Sequence, residues 1–129
     1  MKKLVIVLVA VAFAFSLGCS KSSDDPLEAM ITHTKAMLKI IKDNKDDCNK
    51  VVSELEAYTK EHQKEFEEIS KKGKEMEKNM SDEDKKKYAE KAMKKMEGIV
   101  KESMTVIMEI NQKCPEQAAK IGEAMRAIK

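Results

Sequence analysis

The sequence predicts an all-α fold, an antiparallel helical bundle tied by one disulfide, and three observations carry that prediction. Apolar residues recur at spacings of three and four from Leu27 onward, as on helices with one buried face. Glycine and proline number only 4 and 2 in 129 residues, and no alternating strand pattern competes. Ser81 lies equally far along the chain from Cys48 and Cys114, so a chain that folds back there brings two thiols together.

Four helices follow in order. Asp25-Pro26-Leu27-Glu28 reads as a helix start, with Asp as N-cap, Pro in the first turn and Glu three residues on. Leu27, Met30, Ile31, Met37, Leu38 and Ile41 then mark one face, and the polar cluster from Asp43 to Asp47 ends the helix. A second helix runs through Cys48, Val51, Val52, Leu55, Phe66, Ile69 and Met76. The competing arrangement is one unbroken helix from Leu27 to Met80, because the heptad spacing continues through the polar cluster. Ser81-Asp82-Glu83-Asp84 resembles a capping box and opens a third helix to about Gln112. Cys114-Pro115-Glu116 opens a fourth, carrying Ala118, Ile121, Met125 and Ile128. Glu precedes Lys by four residues at Glu56/Lys60, Glu67/Lys71, Glu83/Lys87, Glu90/Lys94 and Glu97/Lys101, pairs that favour exposed helix faces.

Reflecting the chain about Ser81 sets Phe66 opposite Met96, Ile69 opposite Met93, Leu55 opposite Ile107 and Val52 opposite Ile110, apolar against apolar. The same reflection pairs Cys48 with Cys114 in a disulfide. The apolar stripes are broad near the cysteines and thin toward Ser81, and a broad stripe needs more than one neighbour. The expected architecture is therefore a four-helix bundle at the cysteine end, with helices two and three continuing as a long protruding hairpin around Ser81.

Before the first helix, Lys2 and Lys3 precede an apolar run from Leu4 to Phe15 that gives way to Gly18 and Cys19. These are the parts of an export signal. The run is shorter than the roughly 20 apolar residues that span a bilayer. Ser16-Leu17-Gly18-Cys19 resembles the lipobox of bacterial lipoproteins, with Ser16 where that family usually carries Leu. The resemblance covers the first 20 residues and implies cleavage before Cys19, with lipidation of that cysteine by a diacylglyceryl group. It divides the chain into a signal peptide over 1–18, a lipidated cysteine and tether over 19–25, and a single helical domain over 26–129. Ser20 after the cysteine implies sorting to the outer membrane, facing the periplasm, if the cell has one. The alternative is an ordinary secretory signal cut after Ala12-Phe13-Ala14, which leaves Cys19 as a free thiol.

Loss of Lys2 and Lys3 leaves equal numbers of basic and acidic residues, interleaved along the chain, and tryptophan is absent. Such a surface has neither the one-signed field nor the stacking rings of a nucleic-acid binder. Nothing resembles a phosphate loop, a nucleophile elbow or an H-E-x-x-H helix, so no catalytic residue is assigned and no enzyme is expected. No cofactor is expected either. All but one of the ten methionines lie beyond the signal. Met93/Met96 and Met104/Met108 sit one turn apart and Met76/Met80 share the hairpin, a pattern of core filling or of thioethers gathered for Cu(I). His62 falls on the seam of the hairpin, where it could join a methionine around haem, whereas His33 falls off the apolar stripe of the first helix. The function expected is that of an exported, membrane-tethered, non-enzymatic interaction or scaffold protein of the cell envelope. Its contacts are the membrane, through the lipid, and a protein partner through the Phe66 to Met96 hairpin. The rival function is a metal or haem carrier using Met93, Met96, Met104, Met108 and His62.

Overall fold

In the computed structural model, which describes residues 25–127, five helices follow one another without a strand among the described residues. The expected signal over 1–18, the expected lipidation site Cys19, most of the expected tether and Ile128 lie outside that range. Helix α1, Pro26–Asn44, starts where its sequence says, with the Asp25 carboxylate accepting the backbone N–H of Leu27. Its last turn gives way at Lys45, and Asp47 caps α2, Cys48–Glu61, by accepting from the N–H of Lys50. The chain therefore reverses at the polar cluster, and the unbroken helix from Leu27 to Met80 does not form.

The predicted second helix is two. It is interrupted at His62, whose backbone (φ −98°, ψ 11°) closes α2 and opens α3, Gln63–Asn79. Neither glycine nor proline marks this break. The rings of Tyr58, His62 and Phe66 crowd together there, with Tyr58 and His62 centroids 4.3 Å apart. Ser81 then caps α4, Asp82–Lys113, by accepting the N–H of Asp84 at 3.2 Å. Replacing Ser81 with Ala removes that acceptor, and urea unfolding should report a loss of about 1 kcal/mol. The fourth predicted helix is present as α5, Ala118–Met125, preceded by a turn over 115–117.

The disulfide joins Cys48 at the start of α2 to Cys114 at the end of α4, with Cα atoms 5.6 Å apart across 66 residues. That much of the fold-back forms as the spacing about Ser81 requires. The hairpin is nonetheless not a bare two-helix arm, because α1 packs along α2, α3 and α4, while α3 and α4 hardly touch each other directly. Ion pairs step along α1 and α4 in the same order: Asp25 with Lys91, Glu28 with Lys95, Lys42 with Glu102, Lys45 with Glu109 and Asp46 with Lys113. The two helices therefore run side by side in one direction, with α2 and α3 antiparallel to both. A helix of 19 residues spans about 28 Å, enough for α1 to back most of the hairpin and not the cysteine half alone. Leu27 and Phe66 are accordingly buried, and Pro26, Met30, Met76 and Tyr88 line one cavity near the hairpin turn.

The core runs along this central helix. Met37, Leu38, Ile41, Val51, Leu55, Ile110, Cys114 and Ile121 are essentially inaccessible, and Ile121 comes from α5, which packs on α2. Inserting α1 between the arms turns α4 about its own axis. It buries Ile99, Val106 and Ile110, with Tyr88, Ala92 and Met96 partly covered, and it leaves Met93, Val100, Met104, Ile107 and Met108 outside. The reflection about Ser81 thus fails for two of its apolar pairs: Leu55 is buried but Ile107 is exposed, and Met93, set opposite Ile69, is 72% exposed.

Candidate functional site

Two places stand out once the core is accounted for: a buried cluster of rings and ionisable groups under α1, and an uncovered apolar face on α4.

The cluster forms where α1 crosses the α2–α3 break. His33 on α1 is 7% exposed, against the expectation that it lay off the buried stripe. Between two threonines in sequence it reads as polar surface, but it faces the break and meets the edges of Tyr58, His62 and Phe66, with centroids 4.8 to 5.9 Å away. Tyr58 is half-buried. Its hydroxyl lies 2.7 Å from His33 Nδ1. On the far side of the ring, His33 Nε2 stands 3.3 Å from Glu65 Oε2, and the other oxygen of that carboxylate lies 3.0 Å from Nδ1 of His62. One carboxylate therefore ties together both histidines of the chain. Burial holds the His33 pKa below the usual imidazole value, the Glu65 charge works against that shift, and the neighbouring His62 adds to it.

The sequence placed His62 on the seam of the hairpin, whereas the structure places it at the α2–α3 break against His33 of α1. The sequence did not locate Glu65, because an acidic residue in the first turn of a lysine- and glutamate-rich helix looks like any other solvated charge. The methionines do not join this cluster. Met96 is partly buried against the core, while Met93, Met104 and Met108 lie on the outer face of α4. The thioethers that the rival reading would gather with His62 do not come together there.

Tyr88 likewise is not free surface. Its hydroxyl donates to Asp25 at 3.4 Å, and burial, together with the Asp25 charge, raises its pKa.

The second place is the α4 face. Met93 and Met108 bound it, at 72% and 61% exposure, with Val100, Met104 (61%) and Ile107 between them. From Met93 to Met108 the helix rises about 22 Å, with exposed Glu97 on the same face between Met93 and Val100. Lys94 and Lys101, seven residues apart in sequence, border it without an ion pair among the described residues, unlike Lys91, Lys95 and Lys113 on the flank facing α1. Small domains rarely leave several large apolar side chains uncovered together on one face without a use for them.

The fold and these two places define a disulfide-tied all-α domain with a buried histidine pair and a methionine-rich outer face. No family model, curated protein or solved structure matches the chain. No helix among the described residues is long and apolar enough to cross a membrane.

Proposed function

We propose that the protein is a non-enzymatic interaction protein of the cell envelope, held to a membrane through a lipid on Cys19, whose α4 face receives apolar segments of incompletely folded exported polypeptides. The observation that carries this reading is the set of five large apolar side chains left exposed on one face of α4, three of them methionine. Methionine has a flexible, polarisable side chain that fits many apolar shapes, and surfaces rich in it bind varied partners without a fixed template. The face lies along a rigid helix and is interrupted by exposed Glu97 between Met93 and Val100, leaving Val100, Met104, Ile107 and Met108 as its apolar part, which suits low-specificity apolar contact better than recognition of one defined ligand. The hairpin between Phe66 and Met96 suits a partner less well, since Phe66 is buried beneath α1. Asp25, where the tether ends, touches Tyr88 and Lys91. A seven-residue tether reaches about 25 Å at most. Lipidation at Cys19 would therefore hold the hairpin end near the bilayer and leave the distal part of the face accessible.

The test is suppression of aggregation. Chemically denatured citrate synthase diluted into non-reducing buffer should scatter less light in the presence of an equimolar amount of the mature protein. The double variant V100D/M104D should lose most of that protection while its melting temperature stays close to that of the parent, since both side chains are exposed. Equal protection by the variant, or none by the parent, would refute the reading. So would a doubling of mass in light scattering that the variant abolishes without any client protection, which would assign the face to self-association.

A further inference from the structure

The chain has only two histidines, and the fold brings them to one carboxylate. His33 comes from α1, His62 from the α2–α3 break and Glu65 from the first turn of α3, so three points of a packed scaffold hold the group. One donor atom from each lies within 4.8 Å of the other two. We propose that His33, His62 and Glu65 form a binding site for a single divalent transition-metal ion of the zinc class, a site separate from the α4 face and independent of what that face binds.

Donor chemistry and geometry both support the assignment. Two imidazoles and a carboxylate are borderline ligands suited to Zn(II), which takes N and O donors at about 2.0–2.2 Å. Neighbouring donors around a tetrahedral ion then sit about 3.4 Å apart, close to the 3.0 and 3.3 Å separations of Glu65 from the two rings. The donor atoms lie within 4.8 Å of one another, so the group has to draw together by at most about 1.4 Å to reach that spacing. Metal-bound histidines typically have the second ring nitrogen fixed by an outer partner. Here the Tyr58 hydroxyl holds His33 Nδ1 at 2.7 Å and leaves Nε2 directed at Glu65. A hydroxyl both donates and accepts, so Tyr58 suits either tautomer of the ring. Phe66 and the rest of the core close one side of the site, while the 40% exposure of the Glu65 side chain leaves an approach from solvent. Three protein ligands with one open side are the arrangement of a site that keeps a water or exchanges its ion, unlike the closed four-ligand sites that are purely structural. Tyr58 is a positioning residue here and not a ligand.

The mature protein, stripped with chelator and kept oxidised so that Cys48 and Cys114 take no part, should bind one equivalent of Zn(II) in calorimetry. Its melting temperature should rise until that equivalent is reached. Co(II) in place of zinc should give a visible d–d spectrum of a site with nitrogen and oxygen donors. E65Q, altered at a half-exposed side chain, and H62A should each weaken binding at least about 100-fold and remove the Co(II) spectrum. Y58F should weaken it about 10-fold while leaving the spectrum in place. Absence of any Zn(II)-dependent melting shift and of the Co(II) spectrum in the parent protein would overturn the proposal. Binding that survives both E65Q and H62A would overturn it too, and loss of that surviving binding in M104L/M108L would assign the metal to the thioethers of α4.

Discussion

Replacing both Cys48 and Cys114 with Ser should destabilise the domain by about 4 kcal/mol, the loop-closure entropy returned to the unfolded chain when a bridge across 66 residues is removed. Small domains have about 5–15 kcal/mol of stability in total, so this is a large share of it. The melting temperature should fall by roughly 15–30 °C. The structure gives a particular reason to expect the full effect. The disulfide joins α2 directly to α4, and the remaining cohesion between the two arms passes through α1. Circular dichroism of the double variant at low temperature should still show helix, because the α1 core remains. Urea unfolding of oxidised and variant protein gives the free-energy difference. A change below about 1 kcal/mol would mean that α1 alone fixes the arms and that the bridge merely records their proximity.

The second large effect separates two methionines of identical chemistry. Met37 on α1 has no accessible surface, whereas Met108 on α4 is 61% exposed. Met37→Ala should cost 2–5 kcal/mol, the loss of buried apolar volume plus the cavity left among Leu38, Ile41 and Val51. Met108→Ala should stay within about 0.5 kcal/mol in the same denaturant experiment. Comparable losses at the two positions would mean that the α4 face is covered in solution, and the interaction reading would lose its basis along with the packing.

These contrasts also mark which parts of the molecule the sequence disclosed. The starts of α1, α2 and α4 were readable because capping is local. Asp25, Asp47 and Ser81 each accept from a backbone N–H two or three residues ahead, so residue type and position suffice. The disulfide was readable because symmetric spacing about one strong helix start fixes a fold-back. The rotation of α4 was not, because that helix carries two apolar strips. One contains Ile99, Val106 and Ile110, the other Met93, Val100, Met104 and Ile107, and both have helical spacing. Only the position of α1 decides between them, and nothing local to α4 encodes it. The buried cluster was half readable. His62 stood on the expected seam in sequence, but His33 and Glu65 gain their meaning from partners on other helices, such as Tyr58, 25 residues from His33.

The central placement of α1 also sets an order of events during synthesis. This helix is made first, yet its lysines and acids find their partners on α4, 60 to 67 residues later. A nascent chain that has reached only Asn79 has nothing to set against the α4-facing side of α1. Folding therefore waits until α4 is available, and chain reversal at Ser81 is a late closing step. Molecules ending before α4 is complete should be unable to settle into a native form, whereas those lacking only the residues after Met125 should.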